Sequence, residues 1–206
     1  LFLPAKPTIP LLTRRSITGT LAGLAAAAVL GNSARADVSL GDLPDAAEGL
    51  GAVAPSPAPN LKFFSAAGKA LTLADFHGTG LVVNIWATWC GPCVAELPSF
   101  AAIAPQLAGD KILVLPISVD FEGLKAVQPF YASHGISNLP ILLDPDGTIT
   151  DELNAPGIPI TLVINPAGQL AARLDGGANW NTPATLERLR HLAAPPPATV
   201  SGFQPV

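Results

Sequence analysis

The sequence predicts an α/β fold, with one central mixed β-sheet flanked by helices. Three observations carry this. Two nearly continuous apolar runs rich in β-branched residues, "LVVNIWA" from Leu81 and "KILVLPISV" from Lys111, read as strands buried on both faces. Strand-like and helix-like segments follow one another in the order β-β-α-β-α-β-β-β-α, the pattern of a sheet with helices on its faces. Finally, "ITLVI", the turn "NPAG" and "QLAARL" spell a β-hairpin.

The first elements, "LKFF" and "KALTL", sit around Ala66–Ala67–Gly68 and predict a small N-terminal hairpin. After "LVVNIWA" a helix can run over residues 91–107. "KILVLPISV" is the next strand. "FEGLKAVQPFYASHG" predicts a helix disturbed at Pro129, with Asp120 and Glu122 at its start and His134 at its C-terminal end. "LPILLD" is strand-like and stops at the turn "DPDG". After the hairpin, "TPATLERLRHLAA" opens with Thr182 as N-cap and Pro183 at the first helical position.

The flanks differ in character. Residues 1–36 read as an export signal. "TRRSI" supplies the charged region, Ile17 to Leu30 a 14-residue apolar run, and "SARA" the small-x-small cleavage pattern. A spanning helix needs about 20 apolar residues, so cleavage is expected, with an uncleaved anchor as the alternative. Arg14–Arg15 before a weakly hydrophobic run resembles a twin-arginine signal. Residues 37–59 are acidic and then Pro/Ala-rich, ending in "APSPAP", and predict an extended linker. The folded domain is expected over residues 60–193, and a loose Pro-rich tail over 194–206. Export places the chain in an oxidising compartment, the periplasm, where thiol chemistry has to be managed.

Charge excludes one class of partner. Residues 37–206 hold 7 basic and 15 acidic side chains, a net of -8. Nucleic-acid binding needs a basic face that displaces counterions, so no nucleic-acid partner is expected.

The chain has two cysteines, Cys90 and Cys93, in "VVNIWATWCGPCVAELP". A structural zinc site takes four ligands, and His77, His134 and His191 are scattered, so no metal is expected. A disulfide closing so short a loop removes little entropy from the unfolded chain, which argues against a mere staple. Redox chemistry remains. Cys90 follows a buried strand and opens a helix, whose free N–H groups and positive dipole end stabilise a thiolate, the attacking species. Pro92 falls in the first turn, where its missing N–H costs nothing. Cys90 is thus the exposed nucleophile, and Cys93, pointing inward, resolves the mixed disulfide. The dipeptide Gly91–Pro92 tunes how strongly the dithiol is preferred. No cofactor beyond a redox-active Cys90–Cys93 disulfide is required.

"WCGPC" after a buried strand resembles the thioredoxin superfamily. Trp86 and Trp89 match its two tryptophan positions before the motif, and Pro98 its helix proline. "GIPITLVINPAGQL" matches its cis-proline segment, with Ile158–Pro159 as the cis bond. Asn84 stands where ordinary thioredoxins carry a buried Asp. "CGPCVAELP" fits the CxxCxxExP pattern of the exported TlpA/ResA-like branch through Glu96 and Pro98, and "LPILLDPDGTITDELNAPGIP" resembles that branch's strand-helix insert before the cis-proline. The resemblance implies a thioredoxin-like fold and a thiol–disulfide oxidoreductase. Trp89, Gly91, Pro92, Ile158 and Pro159 would then form the substrate surface, with Asn84, Trp86 and Pro98 as structural support.

Glu96 lies three residues after Cys93 on the same helix face. It is either a solvated carboxylate or a proton carrier for the pair, and the second is expected, with Trp86 among its apolar neighbours. Asn84 is expected chiefly to satisfy backbone groups in the sheet, Trp86 to fill core, and Trp89 to lie over the disulfide. The resemblance implies as partners disulfide-containing envelope proteins, such as cytochrome c or copper-site apoproteins, and a membrane thiol electron donor, with the chain expected to act as a monomer. Gly91–Pro92 matches the dipeptide of reducing thioredoxins, and that resemblance implies a reductase. Alternatives are a disulfide oxidase or isomerase, and a copper-delivery module using the two thiolates.

Overall fold

The computed structural model describes residues 38–194. The export signal and nearly all of the Pro-rich tail lie outside them. Eight strands form one mixed sheet: β1 (Gly51–Pro57), β2 (Lys62–Ser65), β3 (Ala70–Thr72), β4 (Gly80–Trp86), β5 (Ile112–Ser118), β6 (Leu142–Leu143), β7 (Ile160–Ile164) and β8 (Gln169–Asp175). The helices are α1 (Ala46–Gly49), α2 (Gly91–Ala108), α3 (Leu124–Ser133), α4 (Thr148–Glu152) and α5 (Pro183–Leu192). The order across the sheet is β1-β8-β7-β4-β5-β6-β2-β3.

The most apolar runs take the middle of the sheet. β4 lies between β5, parallel, and β7, antiparallel, and all seven of its residues are buried. Two core clusters cover the sheet. One contains Trp86, Phe100, Ile103 and Trp180, and the other Phe63, Ile85, Ile117 and Leu162. The N-terminal hairpin forms as β2 and β3, and the strand-helix insert as β6 and α4.

Two expectations are corrected. Residues 37–59 are not an extended linker over the described part, because residues 40–57 form structure on the domain. Ala46 and Leu50 are buried in the first core cluster, and Asp45 caps α1 by accepting from Ala47 N at 2.9 Å. "APSPAP" contributes to β1, an edge strand paired only with β8, with an irregular register between Ala52 and Ser56. Proline lacks a donor and is tolerated at such an edge, which is why its prolines bar a central strand but not this one. The helix after β5 also starts later than expected. Gly123 is its N-cap at φ +54, so Asp120 and Glu122 precede the helix. His134 does sit at its C-cap, a ring nitrogen 2.9 Å from the Phe130 carbonyl oxygen.

Candidate active site

The site forms where β4 hands the chain to α2. The loop between them is held from the neighbouring strand. β4 and β5 run parallel with Trp86 opposite Ser118, so Thr88 and Asp120, two residues further on, are also brought side by side. Thr88 donates to Asp120 twice, from its backbone N at 2.9 Å and its hydroxyl at 2.7 Å, and the Ser118 hydroxyl donates at 2.8 Å. Buried Asp120 therefore fixes the loop that carries Trp89 and Cys90. The Asp120→Ala change strands these donors and should cost about 2–3 kcal/mol of stability. Urea unfolding measures it, and a loss below about 0.5 kcal/mol would mean the clamp is unimportant.

Cys90 is the N-cap of the 18-residue helix α2, and its Sγ accepts from Cys93 N at 3.3 Å. The two cysteines form a disulfide. Cys90 is only 6% exposed, less than its expected openness, and Cys93 is fully buried. Gly91 is solvent-exposed and a side chain there would meet nothing within 4 Å, so packing does not demand glycine. Pro92 lies in the first turn, and Pro98 falls inside α2, where it offers no N–H to the carbonyl four residues back.

The Ile158–Pro159 bond is cis, and the Ile158 carbonyl oxygen lies 3.6 Å from Cys90 Sγ. A groove of about 530 Å³ opens beside the sulfur, lined by Trp89, Cys90, Val119, Gly147, Thr150, Ala155, Gly157 and Ile158, with no charged side chain among them. Trp89 is 69% exposed and Phe121 88%, each following one member of the Thr88–Asp120 pair.

Glu96 is fully buried one helical turn after Cys93. Asn84 Nδ2 donates to its Oε1 at 2.8 Å, and Ala178 N and Trp180 Nε1 both donate to Oε2 at 3.0 Å. Burial pushes its carboxyl up to about 7, against the pull of these three donors. Asn84 also donates to its cross-strand partner Thr161 at 3.0 Å, while its own Oδ1 has no partner. One expectation changes here. Asn84 holds Glu96 rather than sheet backbone, because its side chain points out of a strand whose backbone groups pair with β5 and β7. The indole bonded to Glu96 belongs to Trp180, stacked on Phe100 at 4.7 Å. Trp86 is buried core against Phe130 and Tyr131.

Sequence reasoning passes over Trp180, Ala178, Thr161 and Thr88, and reads Asp120 only as a helix start. A tryptophan in the polar loop "GANWN" is the one signal that could have found any of them, since a large aromatic there needs a core to enter.

The AhpC/TSA family matches residues 55–173, more than half of the chain. In sequence, the chain is similar to the thiol-disulfide oxidoreductase ResA of Bacillus subtilis (strain 168), 33% identical over 121 residues. That match covers 59% of this chain and 66% of the relative, just under two thirds of its length. In structure, it is similar to the exposed lipoprotein thioredoxin Etrx1 of Streptococcus pneumoniae strain TIGR4, with 26% identity, a TM-score of 0.54, and 64% and 98% of the two chains covered. It is also similar to a thiol:disulfide interchange protein of the thioredoxin family from Chlorobium tepidum TLS, with 25% identity, a TM-score of 0.54, and 68% and 97% covered. The fold is the thioredoxin-like one expected from the motifs.

Proposed function

We propose that this chain, a thiol–disulfide oxidoreductase that belongs to the AhpC/TSA family, is exported and reduces disulfides in envelope proteins, apo forms of cytochrome c or of copper sites among them. The observation that carries the reading is the Cys90–Cys93 disulfide at the N-terminus of α2, with Cys90 opening on an uncharged groove and Glu96 buried one turn along. The direction of transfer rests on Gly91–Pro92, and export on residues 1–36.

In the reduced enzyme the Cys90 thiolate attacks one sulfur of a substrate disulfide. The S–S bond breaks, Cys90 forms a mixed disulfide, and the first substrate sulfur leaves as a thiolate that takes a proton. Cys93 then gives its proton to Glu96 and attacks Cys90 Sγ. The enzyme disulfide closes, and the second substrate sulfur leaves and is protonated in turn. Two electrons pass from the enzyme pair to the substrate pair, and a membrane thiol donor returns them. Trp89, Gly91 and Pro92 form the surface the substrate meets, and the Ile158 backbone pairs with an extended substrate segment beside Pro159. The chain works as a monomer with no cofactor beyond its sulfur pair.

Equilibration against a glutathione series tests the direction. The potential should fall nearer to about -270 mV than to the roughly -120 mV of a strong oxidant. A value above about -180 mV would replace this reading with an oxidase or isomerase.

A further inference from the structure

Glu96 receives two of its three hydrogen bonds from one short loop, residues 176–181, between β8 and α5. That loop is held in turn by the N-terminal segment. Asn179, between the two donor residues, is clasped on both sides: its N–H donates to the Pro44 carbonyl at 2.7 Å, and its carbonyl accepts from Ala46 N at 3.0 Å. Asp45, between those contacts, accepts from the hydroxyls of Thr185 at 2.6 Å and Thr182 at 3.1 Å, tying α1 to the start of α5. Arg188 on α5 donates to the Leu50 carbonyl at 3.1 Å. The loop is also wedged against the active-site helix. A Cβ on Gly177 would lie 3.1 Å from Pro92 Cβ and 3.3 Å from Leu43 Cδ2, so the backbone fills the gap between the two.

We infer that residues 43–50 are a positioning strap for the proton carrier, pressing loop 176–181 onto α2 so that Ala178 N and Trp180 Nε1 reach Glu96 and water does not. The inference rests on the proposed role of Glu96. On α2 the titratable neighbours of Glu96 are the two cysteines. The groups that face it from β4 and from the loop, Asn84, Ala178 and Trp180, do not titrate, nor does Thr161 behind Asn84. The strap carries two titratable groups, Glu48, which is exposed, and Asp45, whose hydrogen bonds, the one from Thr185 foremost, hold its carboxyl below the usual range, so it stays ionised from pH 5 to 9.

The test follows the alkylation rate of reduced Cys90 from pH 5 to 9 in the full chain carrying Asp45→Ala. Burial is the main force holding the Glu96 proton, so a loosened loop that admits water should lower the Glu96-dependent midpoint by about half a unit or more. Asp45→Asn, which keeps an acceptor oxygen, should retain the parent midpoint, and Asp45→Ala placed on Glu96→Gln should shift nothing. A folded Asp45→Ala protein with the parent midpoint overturns the strap and leaves the role of Glu96 standing. A parent profile identical to that of Glu96→Gln overturns that role and the strap's purpose with it. Native-state hydrogen exchange on the parent needs no variant. The amides of Ala178 and Asn179 should open together with those of Ala46 and Ala47. Protection of Ala178 that outlasts Ala46 by about a hundredfold overturns the strap.

Discussion

Cys93→Ser is expected to accumulate mixed disulfides through Cys90, and Cys90→Ser to lose disulfide exchange by about a thousandfold or more, the scale on which removing a nucleophile acts. The asymmetry comes from where α2 places each sulfur. Cys90 is the N-cap, facing the groove and the Ile158 carbonyl, and is the only one of the pair that solvent touches. As a reduced thiol it ionises readily there, because free N–H groups and the positive end of the helix dipole favour the thiolate. Cys93 is fully buried, so a substrate disulfide cannot reach it, and its partner sulfur is always that of Cys90. Without Cys93 the first attack proceeds and the second cannot. Non-reducing gels of both variants after incubation with an oxidised substrate protein report this directly. Adducts trapped by Cys90→Ser rather than by Cys93→Ser would reverse the two roles.

Glu96→Gln should remove a pH-dependent term from both stability and rate. The folded carboxyl titrates at about 7, against an ordinary value of 4.5, because burial disfavours its charge. Between those two values the native state holds a proton that the unfolded chain has released. The contribution of Glu96 to stability is therefore fully present below about pH 4.5, falls as pH rises towards 7, and is level above it. At about 1.4 kcal/mol per pKa unit the decline is about 3 kcal/mol in the parent and absent in the variant. Glutamine keeps an oxygen for Ala178 N and Trp180 Nε1. Its amide can be met by Asn84, whose unpartnered Oδ1 becomes the acceptor if the Asn84 amide turns over. The fold should therefore survive, while the resolving step slows by about a hundredfold through loss of the proton acceptor. Urea unfolding at pH 5 and pH 8 tests the first claim. Alkylation and substrate-reduction rates across pH 5 to 9 test the second, and superimposable profiles for parent and variant would leave Glu96 without a chemical part.

What the amino-acid sequence determined by itself is what local rules control. The nearly continuous apolar run "LVVNIWA" demands a central strand. "WCGPC" after it puts a sulfur at a helix N-terminus, because proline in the first turn suits that position and few others. "NPAG" closes a hairpin, and Thr182–Pro183 starts a helix. Each of these signals lies within a few residues of the structure it specifies.

The tertiary structure decided what depends on partners far along the chain. Asp120 reads as a helix start until the parallel register of β4 and β5 sets it beside Thr88, 32 residues away. Glu96 reads as a carboxylate on a helix face. Only Asn84, Ala178 and Trp180, up to 84 residues distant, show that the face is sealed and the charge disfavoured. Residues 43–50 read as linker because their composition is that of one. They are ordered by contacts with Asn179, Thr182 and Thr185, over 130 residues later. A carboxylate's proton affinity and a segment's order are both set by what surrounds them, and those surroundings exist only once the chain has closed on itself.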